Sequence, residues 1–222
     1  DPKSDGADRD WVSIYEESAK LLYKEIDYEN EAKNAQLFND NFKSVDWVKV
    51  PEIKWGLVSK RVLTMEYVPG VKINDIKEIE RRGINRDLLA ARSAESYLTQ
   101  LCRYGFFHCD PHPGNIACDE KYGGRLIYYD FGMMDEFTVE TRKGLVDLIF
   151  SIYDNDAKGT CNALERMEIL KRGSDRISVE RIARFFLGSF QETMQGGGDN
   201  EKNLSKEEAK QIRRDRRAKL GE

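Results

Sequence analysis

Apolar residues in the first part of the chain recur first at helical and then at strand spacing. Residues 11–42 follow a helical pattern whose second half carries one apolar stripe, edged by Glu31 and formed by Tyr28, Ala32, Ala35, Phe38 and Phe42. Two β-like runs follow at 47–53 and 61–68, and the second alternates on one face Leu63, Met65 and Tyr67. This second run ends at the turn signal Pro69-Gly70. We therefore expect one helix followed by two adjacent strands.

The middle of the chain predicts a long helix and then a hairpin. Residues 85–104 are helical in pattern, and Gly105 stands where a C-terminal cap belongs. Their apolar positions predict one buried face, made of Leu88, Ala91, Ala94, Leu98 and Leu101. Two short strands, 116–118 and 126–129, are joined by a polar segment that contains glycine, which is typical of a hairpin. Asp130 then lies at the exit of the hairpin.

The remainder is helical in pattern, over 140–153, 157–171 and 178–192, with apolar positions that predict a helical lobe. Gly196-Gly197-Gly198 is expected to break this pattern. A charged helix is predicted beyond it, opened by the capping box at Ser205 and Glu208. Its arginines would suit either a solvated linker helix or a contact with an anionic membrane surface.

Composition narrows the class of protein. The 222 residues are 40% hydrophobic, enough for a packed core, and 36 basic against 40 acidic side chains give no global attraction to nucleic acid. The chain shows neither a membrane-spanning run nor the apolar segment of a signal peptide, so we expect a soluble protein. The four cysteines have no zinc-site or disulfide spacing, which favours a reducing compartment. Both histidines, His108 and His112, fall in one loop between the long helix and the hairpin.

Three residues around this loop predict phosphoryl-transfer chemistry. Asp110 and Asn115 lie on the loop, and Asp130 opens the sequence Asp-Phe-Gly after the hairpin. Phosphoryl transfer needs a carboxylate that orients or deprotonates the acceptor, together with an amide and a second carboxylate that hold Mg²⁺ on the phosphates. We therefore predict that Asp110 is catalytic and that Asn115 and Asp130 bind metal. The alternative is an ordinary turn followed by an ordinary strand exit.

Other residues near these acids allow more than one interpretation. Glu31 on an inward stripe calls for a cation, which in kinases is a strand lysine, whereas a solvated helix acid is the alternative. His108 is interpreted as a buried scaffold residue. His112 would either approach phosphate or metal, or hydrogen-bond the loop backbone. Cys109 is expected to be a small buried thiol rather than a redox-sensitive one.

Taken together, the motifs resemble the UbiB family of atypical protein-kinase-like proteins, also called activity-of-bc-complex kinases, and most closely its plastid and cyanobacterial branch. The similarity covers roughly residues 11–191. The segments that carry it are the E-x-D helix motif at 25–32, the hinge at 63–70, the catalytic loop at 106–115 and the metal loop at 128–134.

The resemblance implies an α+β, protein-kinase-like bilobal fold with ATP and Mg²⁺ as cofactors. Its implied domains are a partial N-lobe at 1–68, a mainly helical C-lobe at 69–195 and a Gly-rich linker with a charged helix at 196–222. Glu31 joins Asp110 as a catalytic residue, and the implied nucleotide-binding residues are Glu25, Asp27, Glu66 and Val68. The implied setting is prenylquinone or isoprenoid-lipid metabolism in the chloroplast, with the mitochondrion and the bacterial cytoplasm as alternatives.

The chain also departs from the family pattern. An alanine-rich nucleotide loop, a strand lysine of the V-A-x-K type and a K-x-G-Q helix are expected upstream of the E-x-D motif, and the sequence shows none of them. We therefore expect the chain to begin inside the N-terminal lobe and, by itself, to have little or no turnover. Two other functions stay open: a scaffold or regulatory module that docks a protein partner, and a small-molecule phosphotransferase of the aminoglycoside or choline type.

Overall fold

The computed structural model describes residues 15, 16, 19, 26–171 and 175–200, with only the backbone course for 191–200. This part of the chain divides into two compact units between Phe137 and Thr138. The described helices are α1 Tyr28–Phe42, α2 Ile76–Arg81, α3 Arg86–Leu98, α4 Val139–Tyr153, α5 Ala157–Arg166 and α6 Arg176–Asn200. The strands are β1 Val48–Lys49, β2 Val71–Lys72, β3 Phe106–His108, β4 Ile116–Asp119, β5 Arg125–Tyr128 and β6 Met134–Glu136.

Helix α1 begins at a capped turn and buries the predicted stripe. The Asp27 carboxylate accepts hydrogen bonds from the backbone N–H groups of Glu29 and Asn30, at 3.1 and 3.3 Å, which satisfies two amides of the first turn. Four of the five stripe residues are buried, whereas Tyr28, the first residue of the helix, is 39% exposed. Ile26 and Asp27 are not helical, so the predicted helix over 11–42 is interrupted at this point.

Two sheets hold the first unit together. The larger has the order β1-β5-β4-β2, in which β1 runs parallel to β5 and the other neighbours are antiparallel. The smaller pairs β3 with β6 in antiparallel register. The core between α1 and the larger sheet is built on an aromatic cluster, in which the ring of Phe38 lies 4.7 to 5.2 Å from the rings of Phe42, Tyr128 and Phe131. The predicted hairpin is thus confirmed as β4 and β5.

The two predicted strands at 47–53 and 61–68 do lie side by side, with the Glu66 N–H donating to the Glu52 carbonyl at 2.8 Å. Their pairing is limited to isolated bridges such as Ile53 with Met65. The expected common face is wrong at Tyr67, which is 88% exposed. The reason is that residues 66–70 form no strand, so the alternation that would turn Tyr67 inward does not extend to it.

The inward face of α3 includes a polar residue, which the sequence pattern did not predict. Buried positions are Leu89, Ser96 and, in the π-helical turn Thr99–Tyr104 that follows, Gln100. The expected face was wrong: none of its residues is buried, since Ala91, Ala94 and Leu98 are exposed and Leu88 and Leu101 are half-buried. Ser96 hydrogen-bonds the Tyr128 hydroxyl at 2.8 Å, and the Gln100 amide oxygen accepts from the His108 N–H at 3.0 Å. Specific hydrogen bonds therefore decide which face turns inward. Gly105 has a φ of 68°, as the predicted cap requires.

The second unit contains the three predicted helices with shifted ends. Helix α5 ends at Arg166 rather than at residue 171, and α6 continues to Asn200 through the three glycines that were expected to break it. The domain boundaries at 68 and 195 stay predictions. The charged segment from Lys202 to Leu220 lies outside the described residues, and no described helix is both long and apolar enough to span a bilayer.

Candidate active site

Two strand pairings bring the predicted catalytic and metal loops together. Loop 109–115 connects β3 to β4, and loop 129–133 connects β5 to β6. Because β3 pairs with β6 while β4 pairs with β5, the two loops are held side by side at both ends. At one end the Cys109 N–H donates to the Met133 carbonyl at 2.8 Å, and at the other the Tyr129 N–H donates to the Asn115 carbonyl at 3.2 Å. The topology thus places Asp110, Asn115 and Asp130 at one site.

The Asp110 loop is ordered by hydrogen bonds that leave its carboxylate accessible. The Asp110 N–H donates to Nδ1 of His108 at 3.1 Å, and its carbonyl accepts from the His112 N–H at 2.8 Å. The side chain of Asp110 is 52% exposed. A carboxylate held by its backbone and open on one side can meet an incoming hydroxyl or water, as a catalytic base requires.

The ring of His112 bonds to the loop and also faces Asp110. Nδ1 accepts from the Gly114 N–H at 2.9 Å, so this nitrogen carries no proton and the proton of the neutral ring is on Nε2. Nε2 lies 3.9 Å from Oδ2 of Asp110. A Cβ at Gly114 would meet Nδ1 of His112 at 2.8 Å, so the ring's position requires glycine there. The structure therefore shows His112 bonded to the loop backbone.

His108 is buried as expected, with 1% of its surface exposed. Burial lowers the pKa of His108, while the charges of Asp130 and Asp110 and the Asp130 backbone act to raise the pKa. The Nε2 atom of His108 has no hydrogen-bond partner of normal geometry within the described residues. Cys109, in contrast, is exposed, so the expectation of a buried thiol was wrong. Along β3 the alternation turns Phe106 and His108 inward, which directs the next residue outward.

The metal loop is anchored on helix α1. The carboxylate of Asp130 accepts from the Gly132 N–H at 2.9 Å, and Phe131 is buried against Phe38. The Phe131 carbonyl accepts from the side-chain amide of Asn34 at 2.9 Å. Sequence reasoning missed Asn34, although its place three residues after Glu31 puts both on one helical face. Helix α1 therefore sets the position of the loop that carries Asp130.

Glu31 is a buried acid beside a second acid. It is 8% exposed, and its Oε1 accepts from the Phe131 N–H at 3.3 Å. Burial raises the pKa of Glu31, the hydrogen bond from Phe131 lowers it, and the negative charge of Asp130 raises it further. No ion pair of Glu31 is found among the residues that the structure describes. The prediction of an inward acid is confirmed, and the solvated alternative is wrong.

The predicted nucleotide-binding residues have separate contacts and do not share one hydrogen-bond network among the described residues. The Glu66 carboxylate pairs with Lys49 at 2.5 Å and accepts from the Glu52 N–H at 3.1 Å, and the bond to Lys49 lowers the pKa of Glu66. The Val68 carbonyl accepts from the Tyr129 hydroxyl at 2.7 Å, which ties the predicted hinge to the residue before Asp130. The Asp27 side chain caps α1, and Glu25 lies outside the described residues.

Within the described residues, no group of three or more His, Cys, Asp and Glu side chains is clustered to hold a metal. The predicted ligand set is of a different kind, because it combines the amide of Asn115 with the carboxylate of Asp130. All-oxygen ligation by one or two protein groups, completed by phosphate and water, is typical of Mg²⁺. Both residues are partly exposed, so their oxygens are open to such a ligand.

Comparisons with known proteins agree with this arrangement. The sequence profile of the ABC1 atypical kinase-like domain matches residues 3–164. Activity of BC1 complex kinase 8, a chloroplastic protein of Arabidopsis thaliana, is 46% identical over 100% of this chain and 31% of its own length. Kinase 7 of the same series is 51% identical over 80% of this chain and 25% of its length. An uncharacterized Synechocystis protein is 43% identical over 83% of this chain and 32% of its length.

The chain thus spans about a third or less of the length of these relatives. Among solved structures, Rv3197 of Mycobacterium tuberculosis, determined in complex with erythromycin, superimposes with a TM-score of 0.59 at 23% identity. That match covers 85% of this chain and 47% of Rv3197, and it confirms the fold. With a profile match over most of its length and relatives in plastids and cyanobacteria, this chain belongs to the ABC1 atypical kinase-like family, in its plastid and cyanobacterial branch.

Proposed function

We propose that this chain forms the catalytic and metal-binding part of an atypical kinase or ATPase that uses Mg-ATP. The observation that carries the proposal is the junction of loops 109–115 and 129–133, closed by hydrogen bonds at both ends. This junction gathers two carboxylates and an amide in the order that phosphoryl transfer uses. Membership of a kinase-like family supports the same chemistry.

Each residue has a distinct part in the proposed reaction. Asp110, half-exposed on a loop fixed through His108, orients the acceptor hydroxyl or water and receives its proton. Asn115 and Asp130 would hold Mg²⁺, which would supply charge neutralisation on the transferred phosphate. Glu31 is a positioning residue. Its carboxylate accepts from the N–H of Phe131, next to Asp130, and a buried carboxylate beside a second acid is stabilised by a bound cation.

The donor set fits Mg²⁺ and phosphate. Glu31 and Asp130 place two carboxylates close together in a partly desolvated region, because Glu31 bonds to the N–H of Phe131, the residue after Asp130. Like charges in such surroundings repel, and a bound cation relieves the repulsion. At the end of the site that would hold the adenine base of ATP, the backbone groups of Glu66 and Val68 are proposed to bind the base.

The proposed setting follows from the relatives. The Arabidopsis proteins are named chloroplastic, which supports a chloroplast location for this chain. The family resemblance supports a role in prenylquinone or isoprenoid-lipid homeostasis, with a lipid or quinone as substrate or partner. A protein partner is a further proposal for the intact protein.

ATP hydrolysis by the intact protein tests the proposal. Asp130→Asn is expected to lower turnover by at least about 100-fold, because the metal-holding charge is lost. Asp135→Asn serves as the matched control, because Asp135 is an exposed acid on the neighbouring strand β6. Turnover that is undiminished in Asp130→Asn would overturn the assignment of the metal site.

A further inference from the structure

Tyr129 connects three parts of the site that lie far apart in the sequence. Its backbone N–H donates to the carbonyl of Asn115, and the next residue is Asp130. Its side-chain hydroxyl donates to the carbonyl of Val68 at 2.7 Å, across 61 residues of sequence. One residue therefore contacts the predicted hinge through its side chain and the predicted metal ligands through its backbone.

The contact between Tyr129 and the hinge rests on a small apolar platform that is separate from the main core. Val68, Ala117 and Ile127 form this platform with exposures of 8%, 3% and 0%, and Tyr129 packs against it. Ala117 and Ile127 are paired across β4 and β5, the hairpin that leads into both loops of the site. The platform thus joins the hinge directly to the hairpin.

The turn after Val68 approaches this platform closely. A Cβ at Gly70 would meet Cδ1 of Ile127 at 2.8 Å, Cβ of Ala117 at 3.0 Å and the hydroxyl of Tyr129 at 3.1 Å. Only glycine allows the chain to pass at this distance without displacing the platform. The hinge is therefore packed against the platform and hydrogen-bonded by Tyr129, which packs on the same platform.

We propose that Tyr129 is a base-positioning residue, whose hydroxyl fixes the hinge relative to Asn115 and Asp130 so that base and phosphates of one nucleotide are held together. This inference rests on the proposed function and states how the hinge and the metal ligands of that site are held at a fixed position relative to each other. Val68 is one of the hinge residues proposed to read the base, and Asn115 and Asp130 are the residues proposed to hold the metal. The Tyr129 hydroxyl is the polar contact that links them.

The hydroxyl is suited to this role by its surroundings. The bond between the Tyr129 hydroxyl and the Val68 carbonyl is partly buried beside the platform, where a hydrogen bond is stronger than in water and an unsatisfied carbonyl is costly. A tyrosine hydroxyl can donate a hydrogen bond, and the carbonyl of Val68 can only accept one. Loss of the hydroxyl would release the hinge while leaving the ring on the platform.

The test compares nucleotide with bare phosphate on the intact protein. Tyr129→Phe removes only the hydroxyl, and Tyr122→Phe is the matched control, because Tyr122 is 59% exposed and lies outside the hinge and both loops of the site. Titration calorimetry measures the affinities of wild type and both variants for Mg-ATP and for Mg-tripolyphosphate, which lacks the base. We expect Tyr129→Phe to bind Mg-ATP about fivefold more weakly, since one hydrogen bond contributes about 1 kcal/mol. Tripolyphosphate affinity should change less than about twofold, which would also show that the metal end is folded.

The possible outcomes are distinct. Equal loss of both ligands in Tyr129→Phe would mean that the hydroxyl only stabilises the fold, and unchanged affinity for Mg-ATP would mean that it does not position the base. Either result overturns this inference and leaves the proposed function standing. A wild-type protein that binds neither ligand would overturn the proposed function, and the inference with it.

Discussion

The surroundings of Glu31 are unfavourable for the stability of the folded protein. It is a buried carboxylate whose pKa is raised by burial and by Asp130, and no cation pairs with it among the described residues. A raised carboxyl pKa means that the folded state binds a proton more readily than the unfolded chain. The stability associated with Glu31 is therefore present below the ordinary glutamate pKa and is lost as pH rises through the raised value.

The first prediction concerns this residue. Glu31→Gln keeps an oxygen that can accept from the Phe131 N–H but removes the buried charge, so at pH 7 without Mg²⁺ and ATP the variant should be more stable than wild type. The difference should shrink as pH falls toward 4.5, the ordinary value for glutamate. Urea unfolding at several pH values measures this, with Glu29→Gln on the same helix as the control. A variant less stable than wild type at pH 7 would contradict the pKa argument.

The second prediction concerns Gly114. Gly114→Ala forces the exposed ring of His112 away from the loop, because the new Cβ would overlap it, and so removes the bond from the Gly114 N–H. Since an exposed ring can move, stability should change by less than about 0.5 kcal/mol. Turnover of the intact protein should nevertheless fall about tenfold, because the ring that faces Oδ2 of Asp110 would be moved away from it. Thermal unfolding and ATP hydrolysis measure the two effects. Gly56→Ala, whose Cβ meets nothing within 4 Å, is the control. Equal effects of both substitutions would contradict the claim that the position of the His112 ring requires glycine at residue 114.

At the scale of elements, helix α1 and the metal loop form one packed unit. Phe38 is 1% exposed and contacts Phe131 of the loop and Tyr128 of β5, while Asn34 and Glu31 bond to the backbone of Phe131. The helix therefore fixes the loop by packing as well as by hydrogen bonds. A substitution on the buried face of α1 is therefore expected to affect the position of loop 129–133.

The third prediction follows from this packing. Phe38→Ala should destabilise the protein by about 3–5 kcal/mol, the usual cost of removing a buried phenyl ring. Leu37→Ala on the same helix, where Leu37 is 44% exposed, should cost much less. Chemical denaturation of both variants provides the comparison. Similar losses for the two substitutions would show that the aromatic cluster does not hold the helix to the loop.

The sequence pattern predicted some of these elements correctly and others not, and the difference has a physical cause. The stripe of α1 and the hairpin of β4 and β5 were predictable because burial of apolar side chains decides both. The inward face of α3 was not, because Ser96 and Gln100 turn inward to meet the Tyr128 hydroxyl and the His108 N–H, partners distant in sequence. For the site, loop residues were predictable from spacing, but the contact between Tyr129 and Val68 depends on how the hinge meets the hairpin.

At the scale of the whole molecule, the family is established and the activity is a proposal. The chain covers about a third of the length of its Arabidopsis relative. The catalytic residues of the proposed mechanism, however, all lie in the unit that ends at Phe137. The central claim is therefore that this unit binds ATP through Mg²⁺ held by Asn115 and Asp130.

Titration calorimetry of ATP into the intact protein, with and without Mg²⁺, tests that claim most directly. Wild type should bind ATP at least about tenfold more tightly with Mg²⁺, a difference of about 1.4 kcal/mol, and Asp130→Asn should abolish this difference. Asp110→Asn should retain it, because Asp110 acts on the acceptor and not on the metal. ATP affinity that is independent of Mg²⁺ in wild type, or a Mg²⁺ effect that survives in Asp130→Asn, would contradict the account.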